Sequence, residues 1–249
     1  MSETTAISPP PIQGLSLFTR FWGILTAPRE TFADVAARPR WFGMVALMVI
    51  VGIVGGTALM ATDAGKIAAL DAARTQMESF GIQLSQEAQA QMEKVIMETP
   101  LWRMALQAAF GQVLAAILVP LILAGLFFLA FNAMLGGDCS FKQLFAVVVH
   151  ASPVQLVGML FTMPLMYVRE SMSGVTNLGV FLPMLDERSF LARFFGSIDL
   201  IRIWWVLLLA TGLSVLYRRK SWPIATALLV IYGIIAIIWA AVLASRGGA

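Results

Sequence analysis

The chain has 249 residues, of which 59% are hydrophobic and only 12% charged, with a formal net charge of +3. That charge density is roughly half that of an average soluble domain, so a large water-facing core domain is excluded and several membrane spans fit the length. The basic residues are scattered or sit at the ends of apolar runs, which argues for topology determinants and against a nucleic-acid surface.

Residues 1–14 are polar and proline-rich and are expected to be disordered. The first forty residues lack the compact basic, apolar and small-residue pattern of a cleavable signal, so the first span is expected to serve as its own uncleaved signal. Leu17, Phe18, Phe21, Trp22 and Leu25 recur at helical spacing around Arg20, which predicts a short amphipathic helix on the membrane surface. A second helix is expected from Pro28 to Arg38, with Pro28 at its first position, Glu30 against its N-terminus and Pro39 as its stop. Residues 1–40 thus form a cytoplasmic N-terminal segment, and residues 41–249 a membrane domain.

The first span is placed at about 41–61, with Trp41 and Phe42 in an interfacial aromatic belt. Gly52 and Gly56 form a GxxxG step, whose leading reading is packing within one chain and whose alternative is a homo-oligomer. Residues 63–102 are polar and acidic on balance. Leu70, Ala73, Met77, Phe80 and Leu84, then Ala88, Met92 and Val95, trace an apolar stripe, broken at Gly81, with Ser85 as the second helix cap. This predicts an outer helical hairpin whose apolar face packs on the protein's own membrane domain.

The run from Met104 to Leu135 is about ten residues longer than one span requires. Its membrane part is placed at about 113–135, leaving Gln107 and Gln112 on an extramembrane extension and Pro120 as a kink. Gly136 to Ser140 is a turn, and the next span, about 144–168, carries Pro153 and Pro164. From Arg169 to Gly196 three arginines and three acids surround a semi-apolar piece, 175–185, too short to cross and so interfacial or re-entrant. Two last spans follow at about 198–217 and 222–244, separated by Arg218, Arg219, Lys220 and Ser221. The fold class is therefore all-α: a polytopic membrane bundle of five transmembrane helices with an extramembrane helical hairpin. Arg20, Arg29, Arg38 and Arg40 before the first span, and the Arg218–Lys220 cluster, place the N-terminus inside and the C-terminus outside.

Ionisable groups within spans are functional candidates by default. Asp199 and Arg202 lie one turn apart at the outer end of the fourth span. Their structural reading has Ser197 as helix cap, Asp199 in the first turn, and Arg202 paired with Asp199 or reaching outward. His150, the single histidine, could relay protons or could stand neutral and hydrogen-bonded to a neighbouring helix. One histidine excludes a two-histidine metal site within the chain, and Cys139, the single cysteine, excludes an internal disulfide. Neither a Gly-x-Ser-x-Gly elbow nor a P-loop occurs. No catalytic residue, metal ligand or cofactor site is expected.

Several segments together resemble the Yip (Ypt-interacting protein) family of five-span membrane proteins, in its bacterial branch. Phe21-Trp22-Gly23-Ile24-Leu25-Thr26-Ala27-Pro28-Arg29-Glu30-Thr31-Phe32 with Arg38-Pro39-Arg40-Trp41 is similar to that branch's opening motif. Leu135-Gly136-Gly137, Ser140-Phe141-Lys142-Gln143-Leu144, Ala151 and Pro153 resemble its second-to-third-span junction. Ser197-Ile198-Asp199-Leu200, Ile203-Trp204, Gly212-Leu213 and Trp222-Pro223 resemble the start of its fourth span and the turn after it. The resemblance covers residues 15–245. It implies an integral membrane domain without known catalysis. Eukaryotic relatives are linked to Rab-type GTPases and vesicle traffic, a role not carried over to a bacterial chain. The expectation is a non-enzymatic scaffold or adaptor in a bacterial cytoplasmic (inner) membrane, partnered by the lipid bilayer and by a membrane or peripheral protein. The alternative is a small permease or channel with a path shaped by His150, Asp199, Arg202 and the prolines Pro120, Pro153 and Pro164.

Overall fold

The computed structural model describes residues 14–170, 174, 176–186 and 189–246. The expectation for the first residues, and part of that for 175–185, lie outside the described residues. Among those described, the chain is all-helical, with no strand and one isolated bridge, between Asn177 and Asp199.

The chain opens with a helical hairpin. Helix α1 (Leu17–Thr26) is capped by Ser16, and α2 (Pro28–Ala37) starts on Pro28, as the sequence predicts. The hairpin's second arm, α2, is docked into the bundle. Phe32 and Val35 are fully buried, and α2 packs along α7 (Phe141–His150) and α10 (Leu200–Leu216). Gln143 on α7 donates to the carbonyl of Ala36 at 2.9 Å, which fixes the register. Arg20, read from sequence as the polar centre of an amphipathic surface helix, is 2% exposed and turned inward. The face of α1 left open is aromatic, with Phe18 and Trp22.

Helix α3 (Phe42–Met60) leads to α4 (Asp63–Ser79) and α5 (Gln86–Glu98). Ser85 caps α5 as expected, and Gly81 makes the break with φ 75°, a conformation glycine adopts without steric cost. The α4 half of the predicted stripe packs on the protein itself: Leu70 is buried, and Phe80 meets Trp239 edge-on at 6.1 Å. On the α5 half no described side chain is fully buried: Ala88 and Met92 are half-buried and Val95 is exposed.

Helix α6 (Leu101–Phe128) continues through a π-helical turn, Leu129–Met134, as one rod long enough to cross a membrane. Gln112 does not sit on an extension beyond the span. It lies against Gly52 at the middle of α3, where an added Cβ would come within 2.5 Å of its Nε2. A capping box, Ser140 with Gln143, starts α7 (Phe141–His150), and α8 (Pro153–Arg169) follows. The expected single span of 144–168 is thus two helices. Pro153 has no N–H to continue the ladder, and the chain turns at Ala151 and Ser152. This broken helix is the core of the molecule: Leu144 to His150 are all buried.

The stretch before the next long helix holds a short 3₁₀ turn, Leu178–Phe181, and α9 (Phe190–Ser197), a helix the sequence reading did not separate out. Helix α10 (Leu200–Leu216) and α11 (Ser221–Arg246) end the fold. Gly212 lets α2, α7 and α10 meet closely: a Cβ there would stand 2.6 Å from Val147 Cγ1 and 2.8 Å from Phe32 Cε1. Four helical stretches are long and apolar enough to cross a membrane: Phe42–Met60, Leu101–Met134, Phe141–Arg169 and Ser221–Ser245. α10 is a shorter apolar helix of 17 residues.

Candidate functional site

The start of α10 gathers the polar groups that the sequence marks. Asp199, not Ser197, is the cap of this helix. Its Oδ1 accepts from the Arg202 N–H at 2.9 Å, satisfying one of the free N–H groups of the first turn. The Ser197 hydroxyl instead donates back to Arg193 within α9. The other oxygen of Asp199 accepts from the Thr176 hydroxyl. Tyr232 on α11 completes the junction: its O–H donates to the Ser197 carbonyl at 2.6 Å, and its oxygen accepts the Asp199 N–H at 3.0 Å. Asp199 is therefore fully engaged in joining α9, α10 and α11.

Arg202 does not pair with it. Its guanidinium is exposed and has no ion pair or hydrogen bond among the described residues. Arg202 lines a cavity of about 800 Å³ at this end of the bundle, bounded by α6, α8, α10, α11 and by Gly174, Thr176 and Asn177. Asn177 and Gln155 also line it. A smaller cavity of about 210 Å³ lies further in, at the α7–α8 break, lined by Gln112, Ser152 and Gln155 among apolar groups. The two cavities share Val119 and Gln155.

His150 is brought to neither cavity. It is fully buried; its Nδ1 lies 2.8 Å from the Ala146 carbonyl, and Nε2 has no partner among the described residues. A carbonyl can only accept, so this contact puts the proton on Nδ1. The charged groups acting on the ring are Arg20 and Asp34 of the α1–α2 hairpin.

Those two residues are the constellation that sequence reading missed. Arg20 and Asp34 meet at 2.7 Å with 3% and 13% of their side chains exposed. Arg20 also donates to the carbonyls of Arg38, at 2.9 Å, and Arg40. Asp34 further accepts from Arg38 at 3.1 Å. The signal was present: an arginine within an apolar helical stripe, with an acid fourteen residues on, where a hairpin would bring them together.

At the other end of α10, Tyr217 donates to Asn132 Oδ1 at 2.8 Å and accepts from the Cys139 thiol at 2.9 Å, while Asn132 donates to the Cys139 carbonyl. Burial pushes the Cys139 thiol pKa up from its ordinary value, opposed by its hydrogen bond with Tyr217; the nearby Asp138 adds to the rise, and the bond with Asn132 opposes it. Arg219 reaches the Leu135 carbonyl at 3.3 Å, so part of the basic turn clasps the end of the π-helical segment. No group of three or more side chains suited to a metal ion occurs among the described residues.

An all-helical bundle with, among the described residues, four apolar helical stretches of membrane-crossing length and a broken central helix defines a polytopic membrane protein. The Yip1 domain family model matches residues 22–246, and the chain belongs to that family. No curated protein and no solved structure matches the chain. The stretches that carry the resemblance in sequence fall on the α1–α2 hairpin, the capping box of α7 and the Asp199 cap of α10.

Proposed function

We propose that this is a non-enzymatic membrane scaffold or adaptor of the Yip type, from the family's bacterial branch. It crosses a cytoplasmic membrane five times, with α10 as the fourth crossing, the N-terminus inside and the C-terminus outside. The observation that carries this reading is the rigid seating of the N-terminal hairpin. Phe32 and Val35 are buried in the core and Arg20 is locked to Asp34, so Phe18 and Trp22 stand on a fixed platform at the inner face. The open face of α5 offers a second such surface outside. Buried aromatic anchors dominate protein interfaces, and a preorganised aromatic face suits a membrane-associated partner.

A photo-crosslinking amino acid at Trp22, and another at Gln91 on α5, tests this in native membranes. The scaffold reading expects one protein partner at near-stoichiometric yield from Trp22, lost when Asp34→Ala loosens the hairpin. Lipid adducts alone from both positions contradict it.

A second reading, a small permease, is favoured by the two cavities that share Gln155 beside the broken helix. Broken helices at mid-membrane are a recurring feature of transport sites. His150 is not part of that path. Solute flux in proteoliposomes that is abolished by Gln155→Leu would support the permease over the scaffold, and unchanged flux would remove it.

A further inference from the structure

We propose that the larger cavity is a binding site for an anionic amphiphile, a single phosphate or carboxylate head carrying an apolar tail. Three features of the cavity carry this. The one cation among its described lining residues, Arg202, is exposed and has no side-chain partner among the described residues. The one acid among its described lining residues, Asp199, has both oxygens committed, one to the Arg202 N–H and one to Thr176, and forms no ion pair with the guanidinium. The amide side chains of Asn177 and Gln155 line the same space and make no hydrogen bond among the described residues, which leaves donors beside the charge.

The rest of the lining selects the tail. Val119, Met159, Met166, Ile201, Trp205 and Trp239 supply an apolar wall from four helices. Methionine adapts to a flexible chain, and tryptophan suits the boundary between an apolar phase and a polar one. Trp239 is also exposed on the outside of α11, so the wall is continuous with the apolar surface of the bundle. A free inorganic anion would satisfy Arg202 but leave this wall uncovered. A neutral lipid would cover the wall but bring no net negative charge to the guanidinium. Arginine presents planar paired donors to phosphate or carboxylate oxygens, which a zwitterionic head already neutralised by its own ammonium engages less strongly. The inference is independent of whether the protein scaffolds or transports.

The test uses the full chain, purified in a mild non-ionic detergent and equilibrated with dioleoylphosphatidylglycerol, dioleoylphosphatidylcholine or inorganic phosphate, with bound species counted by native mass spectrometry. Phosphatidylglycerol is expected to be retained in preference to phosphatidylcholine. Arg202→Gln should weaken it about tenfold, as loss of one charge-assisted hydrogen bond does. Arg103→Gln, which removes an exposed charge elsewhere, should leave it unchanged. Because Arg202 is exposed and unpartnered, the variant should keep the wild-type helical signal and melting point, which separates lost binding from lost fold. Equal retention of the two lipids, or phosphatidylglycerol binding that survives Arg202→Gln, overturns the proposal. So does Arg202-dependent binding of inorganic phosphate with neither lipid retained, which would make the site one for a free anion.

Discussion

Arg20 and Asp34, on opposite arms of the α1–α2 hairpin, form a nearly water-free ion pair 2.7 Å long. Arg38 and the carbonyls that follow α2 complete its hydrogen bonding. Breaking such a pair from one side leaves a buried charge alone, which typically costs about 3–5 kcal/mol, whereas replacing both partners by apolar groups is often close to neutral. Asp34→Ala or Arg20→Ala should therefore destabilise the detergent-solubilised protein by about 3–5 kcal/mol. Arg20→Met with Asp34→Leu should recover most of the loss. Thermal unfolding of the three variants measures this; equal losses in single and double variants would show that the pair is not what holds the hairpin.

The close meeting of α2, α7 and α10 depends on the missing side chain of Gly212. A Cβ there would press on Val147, a stiff β-branched residue, and on the ring of Phe32. Gly212→Ala should cost about 1–3 kcal/mol through overpacking. Gly233→Ala on α11, where a Cβ meets nothing within 4 Å, should be neutral or gain up to about 1 kcal/mol from helix propensity. Comparing the two melting points checks the packing account.

The GxxxG step of α3 divides in the same way. Gly52 packs on Gln112, and its neighbour Gly55 packs on Met159, but a Cβ on Gly56 would meet nothing. Gly55→Val should destabilise the monomer, and Gly56→Val should not. If Gly56→Val changes the sedimentation mass in detergent while leaving the melting point unchanged, Gly56 holds two copies together.

Much of the fold was legible because apolar runs and caps are local signals. Pro28 and Ser85 start their helices where the sequence places them. Arg20 was misread because periodicity gives the face of a helix but not what covers it. Its partner is the second arm of a hairpin whose docking into the core is a tertiary event. Gln112 was misplaced for a related reason: a polar residue near the end of an apolar run reads as outside, until Gly52 opens room for it within the bundle. At the site, Asp199 and Arg202 stand together at the head of α10 and Arg202 takes the outward, unpaired alternative, but the cap was assigned to the wrong residue. Asp199 serves as the cap in place of Ser197, and Arg202 lines a cavity whose other walls come from helices distant in sequence. His150 stood out by rarity alone, and the fold seals it away.

Cys139 offers a pH-dependent probe of the opposite end. Its thiol pKa is raised, chiefly by burial, so less of it is thiolate at a given pH than for a free cysteine. Only the thiolate reacts. Maleimide labelling of the folded protein should therefore be slow near neutrality and still be rising at pH 9.0, the ordinary value for the group. The sign for stability follows: a group whose folded pKa is raised stabilises the fold below its unfolded value and loses that contribution as pH climbs through the folded one. Fast labelling at neutral pH, levelling off below pH 9.0, would contradict the buried thiol.

The proposed topology has five crossings, with the basic turn and the helical hairpin on opposite sides of the membrane. The direct measurement is labelling of single cysteines, Lys220→Cys and Gln83→Cys in a Cys139→Ser background, by a membrane-impermeant maleimide on intact cells and on inverted vesicles. The account predicts that Gln83→Cys reacts only on intact cells and Lys220→Cys only on inverted vesicles; reaction of both positions from the same side would contradict it.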